Sequence, residues 1–175
     1  MTTEITNKEK LAQAVKSYLS FRLGEELFAI HVMKIMEIME VPKITHVPQA
    51  PDFLKGVINL RGSVLPVIDA RIKFGMTPVE PTINTCILVL NVSVDEEIVT
   101  IGAMVDAVSE VFEADENTIQ PSPSIGTKYR PEFIEGMIKE NDQFMMLLNI
   151  DKVFSSNDLE SVAELKNEEV LQQNK

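Results

Sequence analysis

The sequence predicts an all-β protein built as two similar small lobes packed on a common hydrophobic core, and three observations lead there. Short apolar runs recur along the chain, each broken by turn residues, which is the pattern of barrels and sandwiches. A block near residue 51 returns near residue 131. Finally, unbroken apolar runs reach only five residues, as in Cys86-Ile87-Leu88-Val89-Leu90. A membrane helix needs about 20, so no spanning segment is expected. The 175 residues suffice for one domain or two lobes sharing a core.

Residues 1–16 are polar and read as an N-terminal arm, and a domain is expected over 17–155. Tyr18–Leu23 and Leu27–Ile30 flank Gly24-Glu25-Glu26 and read as a hairpin. Val57–Leu60 and Val64–Ile68 around Arg61-Gly62-Ser63 form a second, and Cys86–Val92 with Ile98–Ile101 a third. Phe144–Ile150 supplies a further strand, and 156–175 reads as a C-terminal helix with its N-cap at Asn157 or Asp158.

The repeat places Pro51-Asp52-Phe53-Leu54-Lys55-Gly56-Val57-Ile58 against Pro131-Glu132-Phe133-Ile134-Glu135-Gly136-Met137-Ile138, an offset of 80. Ile35-Met36-Glu37-Ile38 is echoed by Val108-Ser109-Glu110-Val111 at an offset of 73, and the blocks keep their order. Two lobes of roughly 60–70 residues follow, each too small to be comfortable alone. They run over about 18–75 and 84–154, with exchange of strands between them left open. Gly56 and Gly136 occupy equivalent places, where glycine points to a positive φ or a close backbone approach.

Charge narrows the partners. The chain carries 16 Lys+Arg against 27 Asp+Glu, a formal net charge of −11. Eight of those acids (Asp95, Glu96, Glu97, Asp106, Glu110, Glu113, Asp115, Glu116) fall between Asn91 and Gln120, a stretch without Lys or Arg. Such a field disfavours nucleic acid and anionic lipid. It is either a solvated face or a surface that selects a basic partner. The polar N-terminus lacks the apolar segment of a secretory signal. The single cysteine, Cys86, fits a reducing compartment, so a cytoplasmic protein is expected.

Catalytic chemistry finds no constellation. Two histidines and one cysteine show no metal-ligand spacing, and no phosphate loop or nucleophile elbow occurs, so neither enzyme activity nor a cofactor or metal is expected. Three features ask for more than a core. Met33, Met36 and Met39 form a stripe at spacing of three, suited to core packing or to an adaptable contact surface. Glu37 and Arg61 each interrupt apolar runs, which suggests a mutual salt bridge, or else an exposed Arg61 at a hairpin tip. Asp106 stands alone among apolar residues and suits an acceptor of backbone hydrogen bonds.

Phe21-Arg22-Leu23-Gly24-Glu25-Glu26-Leu27-Phe28-Ala29-Ile30, Glu37-Ile38, Val47-Pro48, Gly56-Val57-Ile58-Asn59-Leu60-Arg61-Gly62, Pro66-Val67-Ile68-Asp69 and Val105-Asp106-Ala107-Val108 together resemble the CheW-like family, in order, from about Tyr18 to Phe154. Ala70 departs from the leucine more usual there. The resemblance implies two five-stranded SH3-like barrels. It implies a non-catalytic adaptor between the cytoplasmic tips of methyl-accepting chemoreceptors and the regulatory domain of the histidine kinase CheA. The receptor groove it implies carries over to Ile35, Glu37, Gly56, Arg61 and Val108, and a kinase contact to Cys86 and Ile87. The alternative from another class is a small-barrel module for an oligonucleotide or another protein, against which the acidic stretch and the missing basic aromatic groove both argue.

Overall fold

The computed structural model describes residues 15–122 and 131–154. The helix expected over 156–175 and most of the arm expected over 1–16 lie outside the described residues. Val15 and Lys16, placed in the arm by the sequence, are instead the first residues of β1.

Among the described residues the chain forms β1 (Val15–Leu23), β2 (Glu26–His31), β3 (Ile35–Glu40), β4 (Leu54–Leu60), β5 (Ser63–Asp69), β6 (Cys86–Val94), β7 (Glu97–Val105), β8 (Ala107–Asp115), β9 (Ile134–Glu140) and β10 (Gln143–Leu148). Single-turn helices α1 (Ala70–Lys73) and α2 (Ile150–Val153) follow β5 and β10, and 3-10 turns cover Val32–Lys34, Glu116–Thr118 and Pro131–Phe133. The all-β expectation holds. The strands make two five-stranded sheets, ordered β8-β1-β2-β10-β9 and β3-β6-β7-β5-β4.

Neither sheet is a contiguous half of the chain. After β2 the chain crosses to the second sheet to lay β3 beside β6, and after β7 it crosses back to lay β8 beside β1. Each sheet thus joins the first hairpin of one half to the last three strands of the other, β1–β2 with β8–β10 and β6–β7 with β3–β5. The repeat persists down to irregularities of register. Ile35 and Glu37 face Leu90 and Val89, so Met36 is the extra residue of a bulge; Val108 and Glu110 face Phe21 and Ser20, so Ser109 is its counterpart. A second pair of bulges falls at Lys55 and Glu135.

Gly56 and Gly136 show why the repeat kept glycine. Thr45 and Val57 bridge by paired backbone hydrogen bonds, as do Gln120 and Met137. A Cβ at Gly136 would lie 2.8 Å from the Gln120 carbonyl oxygen and 2.5 Å from the Ile119 side chain. At Gly56 a Cβ would collide with the Thr45 carbonyl, and φ there is +152°. Backbone passes where a side chain would stand.

Three apolar layers result from the two curled sheets. Leu19, Phe21, Leu23, Phe28 and Ile30 of the first sheet meet Leu88, Leu90, Ile101, Ala103 and Val105 of the second in a shared layer. The second sheet encloses Ile58, Leu65, Val67, Ile87, Val89 and Met104, and the first encloses Tyr18, Ala29, Ile138, Met145 and Leu147. Strand alternation accounts for this: in β6, Ile87 and Val89 point inward while Leu88 and Leu90 point to the shared layer.

The methionine stripe divides between its two readings, exposed surface and core packing. Met33 in the 3-10 turn is 84% exposed and Met36 56%, whereas Met39 packs partly buried against the second sheet's interior. The segment is a bulged strand, so a spacing of three does not define one side of it.

Polar locks hold the two crossovers. Asp106 Oδ2 accepts from the Gly24 amide at 2.6 Å and from the guanidinium of Arg71, whose Nε donates to the Thr77 carbonyl at 2.8 Å. At the equivalent joint, Asp151 Oδ1 accepts from the Ser93 amide at 2.8 Å and Oδ2 pairs with Lys34 at 3.0 Å. Both joints use a carboxylate to bind a backbone amide, Gly24 in the β1–β2 turn and Ser93 within β6, but acid and base have changed elements. Asp106 therefore receives the backbone bond that its isolation among apolar residues suggested.

Candidate functional site

Glu37 and Arg61 meet at the mouth of the second sheet. Arg61 donates to Glu37 Oε2 at 2.6 Å, and the Arg61 side chain remains 76% exposed against 26% for Glu37. Glu37 lies on the same side of β3 as Met39, opposite Val89. The arginine, at the β4–β5 tip, joins the two edge strands of that sheet. So exposed a pair contributes about 0–1 kcal/mol.

Arg61 is also held at a cost. Its φ is +51° and that of Gly62 is +86°, the positive values that a two-residue type I′ hairpin requires. A non-glycine residue there carries roughly 1–2 kcal/mol of strain. Asn59 offsets part of it by accepting the Gly62 amide through Oδ1 at 2.7 Å. About 1–2 kcal/mol of strain thus stands against an exposed ion pair worth about 0–1 kcal/mol.

Beside this tip lies a surface concavity of ≈ 500 Å³, lined by Leu60, Arg61, Ser63, Val64 and Leu65 on one flank and Ile98, Val99 and Thr100 on the other. Ile98 is 73% exposed. Thr100 donates to Asn91 Oδ1 at 3.1 Å and lies 3.9 Å from the Met36 sulfur. The bulge thus aims a flexible thioether toward a polar spot at the edge of an apolar surface. Sequence reading left Ile98, Thr100 and the bulge role of Met36 unassigned. The echo of Met36 by Ser109 was the available signal, because a bulge shared by two halves shifts register in both.

The remaining sequence-derived residues divide between surface and support. Ile35 and Val108 pack partly buried against the shared layer, one from each sheet, at equivalent positions of the repeat. Gly56 is buried beneath Ile44 and Thr45, so its contribution is to seat that segment over β4. Cys86 is partly exposed at the start of β6, its thiol 3.3 Å from the Asn84 carbonyl. Ile87 is fully buried in the second interior, and β6 is flanked by β3 and β7. Its side chain offers no surface in the free chain. The sequence could not separate the two because alternation assigns faces without saying which is covered.

No group of three metal-ligating side chains converges among the described residues. No helix among them is long and apolar enough to cross a membrane.

The CheW-like domain family matches residues 17–158. The chain belongs to the CheW-like family. It is 34% identical over 158 residues to a chemotaxis protein CheW of Rhizobium meliloti (strain 1021), covering 90% of this chain and 99% of that protein. It is 33% identical over 144 residues to a chemotaxis protein CheW of Klebsiella aerogenes, covering 82% and 84%. Among solved structures, the scaffolding protein TtCheW from Thermoanaerobacter tengcongensis is similar with a TM-score of 0.71 and 32% identity, covering 82% of this chain and 94% of that one. The function that follows from membership is that of a chemotaxis scaffold, without catalysis.

Proposed function

We propose that this chain is a cytoplasmic adaptor that couples the tips of chemoreceptors to the histidine kinase CheA in receptor arrays. The observation that carries the receptor half is the strained, exposed Arg61 paired with Glu37 beside an amphipathic concavity. A receptor helix would set apolar side chains against Leu60, Val64 and Ile98 and orient on the ion pair, the usual division between affinity and orientation. Ile35 and Val108 would extend that contact along the seam between the sheets, with Gly56 supporting it from below. The kinase contact would use the partly exposed Cys86 and its strand end, with Ile87 as internal support. Signal would pass as a change in the geometry of the assembly.

Co-sedimentation with receptor-bearing membranes, with and without the kinase, is the test. The expected outcome is pelleting with receptor membranes, increased by the kinase. A protein that stays in the supernatant under both conditions refutes the adaptor reading.

A further inference from the structure

Asp69 ends β5 and is only 1% exposed. Its Oδ1 accepts from the Arg71 amide at 3.0 Å and so caps α1. Its Oδ2 is buried too and has no hydrogen-bond partner among the described residues. A carboxylate oxygen taken out of water without a donor loses its hydration and gains nothing in return. The other half of the repeat manages without such a group. There Asn149 stands in the equivalent place: its backbone amide donates to the Phe133 carbonyl at 2.8 Å, as that of Asp69 donates to Phe53. Its Oδ1 caps α2 by accepting from the Lys152 amide. Asn149, however, is neutral and only partly buried. The cap therefore needs neither the charge nor the depth that Asp69 has.

A cavity of ≈ 10 Å³ lies against Asp69, lined also by Arg71, Thr85, Met104 and Asp106. That is about the space of one water molecule. Two of the lining residues have donors to spare. The bonds to Asp106 and to the Thr77 carbonyl use only part of the donor set of the Arg71 guanidinium. Thr85 Oγ1 accepts from the Thr82 amide at 2.8 Å, which leaves its own proton to donate elsewhere. We propose that this cavity is a binding site for a single water molecule, which donates to Asp69 Oδ2 and accepts from Arg71 and Thr85. A buried water needs two or more polar partners, and this site supplies them. The cavity is too small for an organic ligand. A metal cation lacks a ligand set, because no group of three metal-ligating side chains converges among the described residues. The water extends the lock at Asp106: Arg71 holds Asp106 directly and Asp69 through the water. Thr85 leads into β6 and Asp106 into β8, so the site ties the starts of both strands to the end of β5.

The direct test is a crystal structure of the full chain at a resolution that shows ordered water, with a second crystal soaked in rubidium chloride. The expected result is one density peak within hydrogen-bond distance of Asp69 Oδ2, without anomalous scattering after the soak. Absence of the peak, or a direct bond from Oδ2 to a protein donor, overturns the proposal. A rubidium signal at that spot also overturns it and assigns the site to a monovalent cation. In solution, oxygen-17 relaxation dispersion measures the long-lived internal waters. Asp69→Thr keeps a side-chain oxygen to cap α1 and removes the second acceptor, so it should hold fewer such waters than the wild type. An unchanged number in Asp69→Thr overturns the proposal. If that variant does not fold, the wild-type crystals decide by themselves. Neither measurement involves a partner, so both outcomes are independent of the adaptor reading.

Discussion

The two halves of the molecule present the same corner twice, and among the described residues only one of them carries the ion pair. Glu37 on β3 corresponds to Glu110 on β8, each next to a bulge, and Arg61 at the β4–β5 tip corresponds to Asn141 at the β9–β10 tip. Asn141 and Asp142 have φ of +48° and +63°, values that short amide and carboxylate side chains tolerate. Glu110 makes no ion pair among the described residues, and its amide instead donates a hydrogen bond to the Ser20 hydroxyl oxygen at 3.2 Å. The backbone device is thus common to both corners, while the long cation and its strain belong to one. A feature the fold needs would be expected at both. Closing the hairpin therefore does not require an arginine, and the receptor role proposed for Arg61 is what the difference leaves to test.

Substitutions can break or sharpen that comparison. The largest effect is expected where the halves agree. Gly56→Ala and Gly136→Ala each force a Cβ into a bridging backbone, and both should lose about 3 kcal/mol or more of unfolding free energy in urea titrations. Gly56→Ala should be the worse, because it adds an unfavourable φ to the clash. Equal and small losses would mean that the Ile44–Thr45 and Ile119–Gln120 segments yield freely, and the shared architecture would then not explain the glycines.

The crossover locks should respond unequally. Asp106→Ala strands a mostly buried Arg71 and the Gly24 amide, for a loss of about 2–3 kcal/mol. Asp151→Ala, whose Lys34 partner is 37% exposed, should lose about 1 kcal/mol. Thermal or chemical unfolding checks both, and the reverse order would overturn the ranking by burial.

Arg61→Asn gives the second sheet the corner residue of the first. Stability should change by no more than about 1 kcal/mol, since a strained residue and a solvated ion pair leave together. Receptor co-sedimentation should fall well below wild type. If binding survives while stability drops, the pair belongs to the fold and the corner is not a receptor contact.

These contrasts also show what was legible in advance. The β4–β5 and β6–β7 hairpins were readable because alternation and turn residues act over a few neighbours. The repeat exposed the equivalence of Gly56 and Gly136, and an acid and a base isolated in apolar runs exposed the Glu37–Arg61 pair. β3 was less legible, because a bulge at Met36 breaks the period of two on which strand recognition depends. Cys86 and Ile87 looked alike in sequence, yet one edges the shared layer and the other fills an interior.

The sequence by itself determined an all-β chain with an internal repeat, no catalytic constellation, and an ordered set of motifs that resembles the CheW-like family. These follow from local periodicity, composition and order of motifs, which need no knowledge of what packs on what. Only the tertiary structure decided that each sheet joins the first hairpin of one half to the last three strands of the other, that Ile87 is covered, and that one of two matching corners holds a strained arginine. Those depend on which sheet a strand joins after each crossover. That choice is made by burial of whole faces and by locks such as Asp106–Arg71, between residues far apart in the chain.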